Sequence, residues 1–142
     1  MRAFWRRTHP ERVRFVYLTA SSAHASEVQK LAGSPLEFAG AAPTVVSGLE
    51  LAVRTRSRLV LTDADLDRET WHDVVTACQA QRPEPVVLVI LDAFDGSAWV
   101  NIIRARAYDV LLRPLSQVTL RGALAQAAGH VRKEWSKGVS SG

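Results

Sequence analysis

The densest group of side chains able to do chemistry is acidic: Asp63, Asp65, Asp67, Glu69 and Asp73 fall within residues 63–73. Alternating carboxylates can hold calcium, but an EF-hand loop needs a central glycine and a closing glutamate, and here a β-rich run precedes the acids. A solvated loop leading into a helix is the expected role. The histidines, His9, His24, His72 and His130, fall in separate segments without i, i+4 pairing, so no metal site is expected of them. Cys78 is the single cysteine, cannot form an internal disulfide, and sits on an apolar stripe, as a buried thiol would. No Ser-His-Asp grouping and no CxxC occurs, and Gly33, Gly40 and Gly48 are too dispersed to cradle a phosphate.

Those residues must be positioned by alternating elements. Val13–Leu18, Leu59–Thr62, Val86–Leu91 and Tyr108–Leu112 are apolar and β-rich, and Leu36–Phe38 adds a shorter candidate. The run at Val86–Leu91 is continuously apolar, as a strand covered on both faces must be. Between these runs the period becomes helical. Trp71, Val74, Val75 and Cys78 form one stripe; Val45, Leu49, Ala52 and Val53 another; Ala98, Trp99, Ile102 and Ile103 a third. Val28, Leu31 and Ala32 mark a first helix capped by Ser21 or Ser22, and Leu120, Leu124, Ala127, Ala128, Val131 and Trp135 mark the last. Strand–helix alternation repeated five times predicts an α/β fold. Its parallel five-stranded sheet would be doubly wound and flavodoxin-like, with strand order 2-1-3-4-5. In such a sheet, sites form at the carboxyl ends of the strands.

Two strand ends carry a resemblance. LVLTDADL (residues 59–66) and RARAYDVLLRPLS (104–116) resemble the response-regulator receiver family, whose second segment reads R-A-G-A-x-D-Y-L-x-K-P-x. The resemblance implies a phosphoacceptor aspartate at Asp63. It puts the family's metal-holding acidic pair within Thr19, Ala20 and Ser21, its switch Thr/Ser at Leu91, its switch aromatic at Val110 and its lysine at Arg113. The bond before the proline that follows, Pro114, is commonly cis in that family.

Four of those five parts are changed. An aspartate that accepts a phosphoryl group needs a divalent cation to neutralise the crowded charge. Magnesium is usually held by one or two carboxylates plus phosphate oxygens, and the end of the first strand supplies none. Arginine stays charged and can pair with a carboxylate bidentately, so Arg113 is expected to meet Asp63 and fix one conformation without phosphate. The alternative leaves Arg113 in solvent. Leu91 and Val110 offer packing and no switch.

Composition bounds the rest. With 47% hydrophobic and 23% charged residues the chain is that of a globular domain. The net charge of +4 is already present in residues 1–14, which hold five arginines against Glu11, so nucleic acid is disfavoured as a partner. The expected division is a basic leader (1–11), a receiver-like domain (12–136) and a flexible tail (137–142). No membrane span and no secretory signal are read, which fits a cytoplasmic setting. The implied role is a non-enzymatic, phosphorylation-independent regulatory module with a protein partner and no cofactor. A working receiver phosphorylated at Asp63 with Mg²⁺, or a small-ligand sensor on the same fold, are the alternatives. Trp99, Arg104, Arg106, Arg121 and Trp135 are candidates for a homodimer or docking face formed by the fourth helix, fifth strand and fifth helix.

Overall fold

The computed structural model describes residues 13–141, with side chains through Val131. Five strands alternate with five helices: β1 (Val13–Leu18), α1 (Ser22–Leu31), β2 (Leu36–Ala42), α2 (Val45–Thr55), β3 (Leu59–Asp63), α3 (Trp71–Gln79), β4 (Val86–Leu91), α4 (Gly96–Arg104), β5 (Asp109–Leu112) and α5 (Gln117–Ser141). All strand pairs are parallel and the order is β2-β1-β3-β4-β5, the arrangement expected from the alternation. No helix among the described residues is long and apolar enough to cross a membrane.

Because side chains alternate along a strand, each central strand feeds two cores. Phe15, Tyr17, Leu59, Leu61, Leu88, Ile90 and Leu111 pack beneath α1 and α5, against Val28, Leu120, Leu124 and Ala127. Val16, Leu18, Val60, Val89, Leu91 and Val110 pack beneath α2, α3 and α4, against Ala52, Val74, Val75, Cys78 and Ile102. Gly48 lets α2 approach β1 closely: a Cβ there would stand 2.6 Å from the Leu18 side chain.

Several local expectations are corrected. β2 runs four residues beyond Phe38; its Ala- and Gly-rich half has weak strand propensity, and a bulge falls there, where Phe15 pairs Phe38 but Val16 pairs Gly40. Gly40 takes φ +150, a conformation side chains disfavour. β3 ends at Asp63 rather than Thr62, and β5 begins at Asp109 rather than Tyr108. Val53 and Ile103 are apolar but outward-facing, 71% and 44% exposed, because one buried row on α2 and on α4 suffices to cover the sheet. The segment expected as a tail is helical as far as Ser141: no proline interrupts α5, and extending a formed helix costs far less than starting one. The leader (1–11) and the side chain of Trp135 lie outside the described residues.

Candidate functional site: a buried aspartate held by four donors

Strand register brings the site together. Tyr17 pairs Leu61 and Asp63 pairs Ile90, which in turn neighbours Leu111. Thr19, Asp63 and Arg113 each lie two positions beyond Tyr17, Leu61 and Leu111, so all three point toward the α1/α5 face at the carboxyl edge. Ser21 caps α1 by accepting from the His24 backbone N–H at 3.1 Å, which sets His24 and Glu27 one turn apart over the same edge.

Asp63 is buried, with its side chain 12% exposed, and both carboxylate oxygens are engaged. Oδ1 accepts from the Tyr17 hydroxyl and from Arg113 Nη2 at 2.8 Å. Oδ2 accepts from Thr19 Oγ1 at 2.6 Å and from His24 Nδ1 at 3.1 Å. A carboxylate only accepts, so the hydrogen of this His24 tautomer sits on Nδ1. Four donors fill about four lone-pair positions, which leaves no oxygen lone pair facing an open site.

Arg113 reaches Asp63 through one nitrogen, not bidentately. Its Nη2 also donates to the Tyr17 hydroxyl at 2.8 Å, its Nε to Asp92 at 3.1 Å and its Nη1 to Glu27 at 3.1 Å. Its side chain is 14% exposed. Burial works against the guanidinium charge, but the neighbouring Tyr17 and Asp63 outweigh it and raise the arginine's pKa. Burial above all, then the hydrogen bond and charge of Asp63, also raise the Tyr17 hydroxyl, so it stays protonated as a donor. The Arg113–Pro114 bond is cis.

The other predicted positions are less involved. Ala20 is exposed, and the Ser21 side chain is committed to its helix cap. Leu91 and Val110 are 7% and 4% exposed in the core beneath α4, on the opposite face from Asp63. Counting back from the Arg-Pro pair points to Leu91, but the next residue, Asp92, is the one that meets Arg113. The acidic loop is spent on backbone. Glu69 accepts from the Val45 N–H at 2.9 Å and Asp73 from the Thr70 N–H at 2.9 Å, while Asp65 and Asp67 are exposed and make no hydrogen bond to Asp63. Among the described residues no three His, Cys, Asp or Glu side chains form a metal-ligating group. The residues present therefore do not fit magnesium: its first-strand carboxylates are replaced by Thr19 and Ala20, and Arg113 supplies the positive charge.

Sequence reasoning missed Tyr17, Glu27 and Asp92, and gave His24 no role at Asp63. Of the interface candidates, Trp99 is half-buried and leans on Phe94 at 6.3 Å, and Arg104 is exposed at the end of α4. Arg121 belongs elsewhere: its Nε donates to the Leu31 carbonyl at 3.0 Å, tying α5 to the end of α1. Arg106 stands in the turn between α4 and β5, at the amino edge of the sheet.

No family model matches the chain, and no curated protein does. Solved structures do match. A signal receiver domain from Vibrio parahaemolyticus superposes with a TM-score of 0.78 at 18% identity, over 87% of this chain and 95% of that one. The fold is that of a response-regulator receiver domain. The receiver domain of AraT, a response regulator from Geobacillus stearothermophilus, gives 0.75 at 18% identity over 87% and 98%. The signal receiver domain of an HD domain-containing protein from Pseudomonas fluorescens gives 0.76 at 19% over 86% and 98%. At these identities the likeness carries the receiver fold, and the side chains at the strand ends must speak for the chemistry.

Proposed function

We propose that this receiver-fold chain is a signalling module that works without phosphorylation, presenting one fixed conformation to a protein partner. One observation carries the reading: four side chains donate to Asp63, and the cation among them belongs to the protein. A phosphoryl acceptor must expose an oxygen to the incoming phosphorus and needs an external cation to offset the charge that builds up. Here Arg113 already neutralises the carboxylate, and Tyr17, Thr19 and His24 occupy its remaining acceptor positions. Attack would require breaking at least one of these contacts, and the product would face Glu27 and Asp92 with no metal between. Asp92, which takes the place at the end of β4 beside Arg113, has no hydroxyl to follow a phosphate, and Val110, an aliphatic side chain in a packed core, has no ring to reorient.

The test is incubation of the protein with acetyl phosphate and Mg²⁺, followed by intact-mass measurement. The unmodified mass should persist. A species heavier by one phosphoryl group, present in the wild type and absent from Asp63→Asn, would establish the working-receiver alternative instead.

A further inference from the structure

At the end of the sheet opposite Asp63, the segments leading into β3, β4 and β5 enclose a hollow of about 910 Å³, floored by Cys78 and Val87. Arg58 enters it from the residue before β3, Arg82 from the α3–β4 loop and Arg106 from the turn before β5. Against these three arginines the lining holds one carboxylate, Glu84. Among the described residues no carboxylate lies within ion-pairing distance of any of the three. Three like charges converging on one cavity repel unless an anion joins them.

Three further observations describe its lining. The Nε of Arg58 is buried in the wall without a hydrogen-bond partner among the described residues, so the terminal nitrogens of this guanidinium are the ones open to an acceptor in the hollow. Arg106 takes φ +73 as the left-handed residue that ends α4, its N–H meeting the Ile103 carbonyl and that of Ala107 the Ile102 carbonyl, at the position where the motif R-A-G-A has glycine. Arg82 donates Nη1 to the Gln79 and Gln81 carbonyls, both at 2.7 Å, which fixes its side chain and leaves Nε and Nη2 to another acceptor. One wall is aromatic: the Tyr108 and His130 rings lie 5.4 Å apart at 44°.

We propose that this hollow binds a nucleoside polyphosphate, with the phosphates on Arg58, Arg82 and Arg106 and the base against Tyr108 and His130. Planar guanidinium forks match phosphate oxygens, aromatic faces accept any base, and the volume lies in the range of small-molecule sites. The site is separate from Asp63, and its existence does not depend on whether that aspartate accepts phosphate.

Isothermal titration of the full chain with ATP and with GTP tests it. At least one should bind saturably at one per chain. Arg106→Gly, which relieves the backbone strain and so keeps the fold, should weaken binding at least about tenfold, the loss expected for one charge-assisted contact. Arg58→Gln should do likewise, while Arg68→Ala, an equal charge loss on the far loop, should leave affinity unchanged. Adenosine and tripolyphosphate should each bind more weakly than ATP. Absence of saturable binding by either nucleotide would overturn the proposal. So would unaltered affinity in both hollow variants, or tripolyphosphate binding as tightly as ATP.

Discussion

Replacing Arg113 by Met removes the cation from Asp63 while keeping much of its apolar stem. Breaking a buried pair by removing one partner costs about 3–5 kcal/mol. The lower end applies here, because Tyr17, Thr19 and His24 still donate to the stranded carboxylate. The contacts to Glu27 and Asp92, whose side chains are 46% and 78% exposed, add little, at about 0–1 kcal/mol each. The expected loss is therefore about 3 kcal/mol, or roughly 10 °C in Tm for a domain of this size. Asp63→Asn should cost less, about 1–2 kcal/mol, since Arg113 keeps its other two carboxylates. Urea denaturation of both single variants and the double variant gives the coupling energy directly, and about 1.5–2 kcal/mol is expected for a pair held at 2.8 Å. Additive losses, with coupling under about 0.5 kcal/mol, would show that the pair does not hold the site together.

Other outcomes follow from the same geometry. Cys78 is 1% exposed and burial pushes its thiol up to about 12, so it should resist iodoacetamide at neutral pH in the folded protein and react once urea unfolds the chain. Both Cys78 and Tyr17 are raised by folding, so the unfolded chain releases their protons first. Stability should hold below pH 9.0, the ordinary thiol value, and fall as pH rises past it, with Tyr17 contributing from 10.0 upward. Tyr17→Phe should cost about 1–2 kcal/mol at neutral pH by removing a buried hydrogen bond, and its alkaline decline should be shallower than that of the wild type. Arg106→Gly should be neutral or stabilising, by up to about 1 kcal/mol, because glycine adopts φ +73 without a Cβ clash. Thermal denaturation measures each of these stability changes.

The alternation of periods carried the fold. Val86–Leu91 needed cover on both faces, and stripes such as Val74, Val75 and Cys78 supplied it. Positions where one apolar row was enough misled, as Val53 and Ile103 show. The site was half legible. Asp63 and Arg113 stand at strand ends flanked by recognisable motifs, but Tyr17 lies inside an apolar run where a tyrosine reads as core. Only the register of β1 against β3 reveals that its hydroxyl points at Asp63. His24 and Glu27 reach the site through the helix that Ser21 starts, a relation of angle and height that residue spacing alone does not contain. Asp92 was displaced by one residue in the count back from Pro114, and one residue in a strand moves a side chain to the other face.

The central claim is that the protein's own donors, rather than a metal, complete the coordination of Asp63. An amide NMR titration with MgCl₂ tests it most directly, following the signals of Thr19, Asp63, Ala64 and Arg113 with NaCl as the ionic-strength control. The account predicts shifts no larger than those in NaCl throughout the millimolar range. A saturable, Mg²⁺-specific shift centred on Asp63 that disappears in Asp63→Asn would contradict it.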